Sequence, residues 1–220
     1  MKELLKTVLP PRVRDRLRPL PQRLGYYPGP GPRLMSWLRM QWVILRHPQA
    51  NISFGHGCYL GPGFSLHIPA GGTFEAGDGV EFRRGFRAEV DGDGRITIGS
   101  HSHMTYYVLM QCSTLIEIGE HVQFGQSTIV VDGQHRFRDL TKPMLEQGYD
   151  FAHVKIEDHA TITTKCSIMA DIGTRSFIGA NAVVSKPIPP YCVAVGAPAK
   201  PIDYFGPPGQ EPEELRSTTA

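Results

Sequence analysis

Every sixth residue from Ile68 gives Ile68, Phe74, Val80, Phe86, Gly92, Ile98, Met104, Met110, Ile116, Val122 and Thr128, of which only Gly92 and Thr128 are not clearly apolar. The same stride from Val154 gives Val154, Ala160, Cys166, Ile172, Ile178 and Val184. A helix with 3.6 residues per turn cannot hold a six-residue repeat on one face, and a long strand of period 2 has no need of a recurring glycine. Short strands separated by turns satisfy both conditions. The units "IGEHVQ" and "FGQSTI" (Ile118–Ile129) and "IGTRSF" and "IGANAV" (Ile172–Val183) show the form: glycine follows the apolar residue, and Val122, Thr128, Ser176 or Ala182 takes the fifth place.

This is the hexapeptide repeat of parallel β-helices, an all-β architecture in which each coil buries its inward residues only by stacking on the next. Three hexapeptides make one coil, so residues 50–190 would hold about seven coils. Such a coil has a flat outer surface, and a site must come from loops or from a second subunit. The 24 Gly and 19 Pro recur at fixed intervals rather than in low-complexity runs.

Residues 1–50 read as a basic, partly helical extension. "PPRVRDRLRPLPQRL" carries five Arg and one Asp, and "LMSWLRMQWVILRH" (Leu34–His47) has apolar residues at helical spacing. The Pro and Gly of "GYYPGPGPR" break the chain before that helix. It either packs on the body or a neighbouring subunit, or makes a peripheral contact with a membrane surface. The net charge of +2 disfavours nucleic acid as a partner, and Cys58, Cys112, Cys166 and Cys192 show no CxxC spacing for zinc or a disulfide framework. No apolar run reaches the roughly 18 residues of a spanning helix, and the start is too short in apolar residues for a secretion signal. The expected location is cytoplasmic, with the membrane surface as an extension of it. The domain reading is 1–50 extension, 51–202 repeat domain with an inserted loop at 132–153, and 203–220 polar tail with little to bury.

The end of the repeat, "IGANAVVSKPIPPYCVAVGAPAKPI" (Ile178–Ile202), is similar to the terminal signature of the hexapeptide-repeat acyltransferases: an "IGAGSVV" coil, a Pro-containing turn and "GxPAK". Repeat and signature cover about two thirds of the chain, and the sugar and polysaccharide O-acetyltransferases are the nearest in layout. The resemblance implies a left-handed β-helix, a homotrimer with active sites between subunits, and acetyl-CoA or another acyl-CoA as co-substrate. It also implies no metal, no covalent acyl-enzyme, and a His general base acting on a small-molecule or saccharide acceptor.

Between Thr128 and Val154 the stride fails. In the resembling O-acetyltransferases the catalytic His follows an apolar strand at this point, near an Asp and before a Pro-containing loop, and "VVDGQHRFRDLTKP" has that layout. His135 is therefore the candidate base, since an imidazole can take a hydroxyl proton near neutral pH and return one to the CoA thiolate. Asp132 and Asp139 are candidates to orient it, and the sequence does not choose between them. On the CoA side the resemblance points to Thr163 and Thr164, Ala180, Ser185, Lys186 and Lys200. Thr161 and Thr163 stand where the family has an aromatic residue and Gly, and "IMADIGT" is two residues shorter than the common turn. Convergence of His101, His103 and His121 would instead make a zinc site of the γ-carbonic anhydrase type; the terminal signature and the His-bearing loop favour acyl transfer. His153 could close one edge of the acceptor pocket.

Overall fold

The computed structural model describes residues 30–216; residues 1–29, with the arginine-rich stretch, and 217–220 lie outside them. Among the described residues the chain winds through three parallel sheets, joined in the order first, second, third around each coil. The first sheet is built from Asn51–Phe54, Thr73–Ala76, Arg95–Ile98, Leu115–Ile118 and Val154–Ile156. The third runs from Ser65–His67 through Arg87–Val90, Leu109–Cys112, Ile129–Val131 and Ser167–Ile168 to Val183–Val184.

The second sheet gives the coil lengths. Leu60, Phe82, Met104, Phe124, Ile162, Ile178 and Ala194 are successive partners, so the coils run 22, 22, 20, 38, 16 and 16 residues. The 38-residue coil contains the insertion. The 16-residue coils follow the short "IMADIGT" turn, and there the first sheet shrinks to isolated bridges at Ile172 and Ile188.

The six-residue stride is the interior of this coil: of the residues it selects, only Gly92 is exposed. Phe74, Phe82 and Phe86 are fully buried and pack edge-on and tilted at 4.6–6.2 Å between centroids, each worth about 1.5–3 kcal/mol relative to exposure. Hydroxyls in the fifth place bond to the adjoining coil. Ser102 Oγ donates to Gly119 O and accepts from Val122 N, and Ser176 Oγ donates to Pro189 O and accepts from Cys192 N. The glycine after each apolar residue is steric. A Cβ on Gly125 would lie 2.4 Å from the Thr163 carbonyl carbon, and one on Gly99 2.5 Å from that of Gly119. Three residues after the inward apolar residue the backbone turns left-handed, with φ of 55–62° at His101, Tyr107, His121, Ser127, His159, Lys165, Arg175, Asn181 and Tyr191.

Both ends of the second sheet are covered, as exposed edges must be. At one end α1 (Pro30–Arg46) lies across Tyr59–Leu60: Leu60 N donates to Ser36 Oγ at 2.8 Å, Arg39 Nη1 donates to Leu60 O at 2.8 Å, and Val43 is 6% exposed. These contacts put the described residues from Ser36 onward in one compact unit with the coils. The helix also starts earlier than Leu34, because proline in a first turn forgoes only an N–H that has no helical partner. At the other end Ala199–Tyr204 pairs antiparallel with Cys192–Gly196. Within the described part of the polar tail, Tyr204 and Leu215 lie against the core, Leu215 from the helical turn Glu213–Arg216.

Candidate active site

The chain leaves the third sheet at Val131 and rejoins the first at Val154. Between them Gly133–His135 and Tyr149–Phe151 form an antiparallel hairpin, with Gln134 opposite Asp150 and His135 opposite Tyr149. Gly133 is required by a close approach: a Cβ there would lie 2.9 Å from the Phe151 ring. Arg136 Nε and Asp150 Oδ1 meet at 2.6 Å across the hairpin, an exposed pair of small energetic weight. Beyond it the loop closes on Gln147, whose amide donates to Asp139 O and Lys142 O and accepts from Asp139 N.

Asp132 pins the insertion to the coil beneath. It is 3% exposed and accepts from Ser113 N (2.9 Å), Thr114 N (2.6 Å), Thr114 Oγ1 (3.0 Å) and Leu115 N (3.1 Å). Its carboxylate is thus consumed by the 113–115 turn and makes no hydrogen bond to His135. Asp139 is exposed and accepts from Thr141 N and Oγ1, which hold its carboxyl below the usual range. Neither carboxylate orients the imidazole in a single chain.

His135 is half-buried against Tyr149, 4.3 Å between ring centroids, and Tyr149 stacks on Phe151 at 5.7 Å and 12°. Its Nδ1 is buried without a hydrogen-bond partner. A buried unpaired polar atom costs about 1–3 kcal/mol, so the hydrogen-bonding capacity of this nitrogen is unused within the single chain. The residue stands between two clefts. One, of about 560 Å³, is lined by Asp91, Gln111, Ser113, Asp132, Tyr149 and Phe151; the other, of about 640 Å³, by Arg136, Phe137, Arg138, Lys142 and Glu146. Sequence reasoning missed Tyr149 and Phe151. The alternation in "GYDF", after a glycine at φ 77°, was the available signal.

Thr163, Thr164 and Ala180 lie on one corner of successive coils, between the second and third sheets. The Thr163 hydroxyl and N–H both donate to Ile178 O, at 2.7 and 3.0 Å, and its carbonyl accepts from Thr128 Oγ1, so this residue is engaged by the adjoining coils. Lys200 is exposed opposite Val195 near the same corner, while Ser185 and Lys186 are exposed just past the far edge of the third sheet. The structure therefore spreads these six residues along both borders of one face.

The remaining histidines sort by phase of the repeat. His101, His121 and His159 stack in a column at 5.1 and 5.2 Å, whereas His103 is on a strand with Nδ1 3.4 Å from Glu81. Among the described residues no group of three or more His, Cys, Asp or Glu side chains is placed to hold a metal ion. His153 pairs with Glu117 at 2.8 Å and lines neither cleft.

Comparison with known proteins bears on these stacked coils. The chain is 31% identical over 172 residues to a protein of Mycobacterium tuberculosis named as a probable acetyltransferase, a match covering 74% of this chain and 56% of that one. The chain thus spans about half the length of this curated relative. Among solved structures, the hexapeptide-repeat acetyltransferase VCA0836 of Vibrio cholerae, complexed with acetyl coenzyme A, superposes with a TM-score of 0.55 at 24% identity, covering 77% of this chain and 79% of that one. AntD of Bacillus cereus, an N-acyltransferase in complex with dTDP and 3-hydroxybutyryl-CoA, gives a TM-score of 0.59 at 19% identity, covering 74% and 87%. No protein-family model matches the chain. By sequence the chain is similar to a protein named as a probable acetyltransferase, and by fold to solved hexapeptide-repeat acyltransferases.

Proposed function

We propose that the protein transfers an acyl group, acetyl by default, from acyl-CoA to a hydroxyl of a sugar, polysaccharide or glycolipid precursor, with His135 as general base. The observation that carries this reading is His135 itself: it stands at the one long break in the coil, between two clefts, with a buried nitrogen that nothing in the single chain satisfies. The imidazole removes the acceptor proton as the oxygen attacks the thioester carbonyl. The tetrahedral intermediate then expels the CoA thiolate, which takes the proton back from the imidazolium. No acyl-enzyme and no metal are needed. CoA runs along the face bordered by Thr163, Thr164 and Ala180 on one side and Ser185 and Lys186 on the other. The Thr164 main chain, next to Thr163, meets the pantetheine, and Lys186 and Lys200 meet phosphate as flexible point charges. In a homotrimer, a neighbouring copy closes the site and satisfies Nδ1.

The test is His135→Ala with acetyl-CoA and a panel of hydroxyl and amino sugars, reading CoA release. The expected result is a fall in kcat of about 10²–10⁴, unchanged thermal stability, and turnover with a hydroxyl acceptor. Parent-rate transfer by the variant would remove the proposed base, and turnover restricted to amino sugars would replace O-acylation by N-acylation.

A further inference from the structure

The helix α1 is apolar on two faces, and only one is used. Ser36, Met40 and Val43 turn toward the coils, while Trp37, Leu38, Trp42, Ile44 and Leu45 are exposed at 54, 45, 64, 40 and 75%. Gln41 is the polar residue that lies on the same arc of the helix as these five, and the helix contains no acidic residue. Arg39 and Arg46 sit at helical angles that border the outward face rather than interrupt it. Charge along the chain is strongly polarised about this element. Residues 1–46 hold 10 Lys and Arg against 2 Asp and Glu, and residues 47–220 hold 13 against 19, so +8 faces −6 within a total of +2. Among the described residues no helix is long and apolar enough to cross a membrane.

We infer that the outward face of α1 is a peripheral docking surface for an anionic lipid bilayer. Two tryptophans and three aliphatic residues on one side, flanked by arginines and adjoining a basic segment, match an interface with an apolar interior beneath anionic headgroups. Tryptophan favours that depth because its ring is apolar and its N–H finds water or headgroup partners. A second copy of this chain would carry the same basic excess to the contact, which a bilayer of anionic lipid neutralises and a like-charged neighbour does not. The surface is separate from the His135 clefts.

The chain's two tryptophans are Trp37 and Trp42, so their fluorescence reports this face alone. The full-length protein is titrated with vesicles of phosphatidylcholine alone and of equal parts phosphatidylcholine and phosphatidylglycerol, at low and high salt. The expected results are a blue shift and co-sedimentation with the anionic vesicles only, weakened roughly tenfold or more by high salt because the Lys and Arg contributions are screened. Leu38→Glu/Leu45→Glu, both exposed, should abolish the shift while leaving the melting temperature and size-exclusion volume unchanged. No shift with anionic vesicles overturns the inference. So does a change in oligomeric state for the double variant, which would make the face a subunit contact.

Discussion

The coil and the insertion solve the same problem in opposite ways. Inside the coil the Ser102, Thr128 and Ser176 hydroxyls all bond to backbone carbonyls one coil away, and Phe74, Phe82, Phe86 and Phe124 are fully buried. In the insertion Phe137, Leu140, Leu145, Tyr149 and Phe151 are exposed, and His135 Nδ1 has no partner. The difference teaches where chemistry can be housed. Among the coil residues Thr105 Oγ1 is also buried without a partner, so what sets the insertion apart is its exposed aromatic and aliphatic side chains and the two clefts beside His135.

The largest test of the comparison is Phe82→Ala. Phe82 is fully buried with Phe64, Phe74 and Phe86 around it, and truncation leaves a cavity the flat coils cannot collapse into. A loss of about 3–5 kcal/mol is expected in denaturant unfolding. Asp132→Ala comes next and joins the two regions. It strips the acceptor from the backbone of Ser113, Thr114 and Leu115, costing about 2–3 kcal/mol, and lowers turnover because the hairpin bearing His135 loses its anchor. Asp139→Ala, on the exposed loop, should change stability by no more than about 0.5 kcal/mol. If the two substitutions cost the same, Asp132 is not the pin described here. Within the coil, Ser176→Ala leaves Cys192 N unpaired and should cost about 1–2 kcal/mol.

How far the sequence reaches follows from these same residues. Periodicity identifies Ile118, Phe124, Ile172 and Ile178 as inward because a coil is a local rule repeated, and each unit displays it. The same rule, applied to the corner three residues after the inward aliphatic, would have grouped His101, His121 and His159 and set His103 apart. Asp132 was legible as a site residue by its position, yet its partners are amides 17–19 residues earlier, a contact that no side-chain pattern encodes. Tyr149 against His135 depends on hairpin register, which the loop between them hides. The packing of Leu215 was hidden for a related reason: four residues of helix in a polar segment give no period to read.

The smallest expected effect separates the regions by pH. All four cysteines, Cys58, Cys112, Cys166 and Cys192, belong to the coil and none to the insertion, and burial raises each thiol's pKa. Cys112 goes furthest, from 9.0 to about 12, through burial first and the neighbouring Asp132 carboxylate second. The unfolded chain releases this proton near pH 9 and the folded chain holds it, so the unfolded state binds fewer protons above that pH. The stabilisation is therefore complete below pH 9 and declines as pH rises from 9 toward 12, at about 1.4 kcal/mol per unit for a thiol that stays neutral in the fold. Urea unfolding at pH 8 and 10 should show a drop of roughly 1 kcal/mol for that thiol, diminished in Cys112→Ala relative to its own value at pH 8. Asp132→Asn removes the negative charge beside the sulfur, lowers the Cys112 pKa and flattens the decline. An identical pH response in parent, Cys112→Ala and Asp132→Asn would mean that the alkaline sensitivity arises outside this contact, and that the coil and the insertion are not electrostatically joined at Asp132.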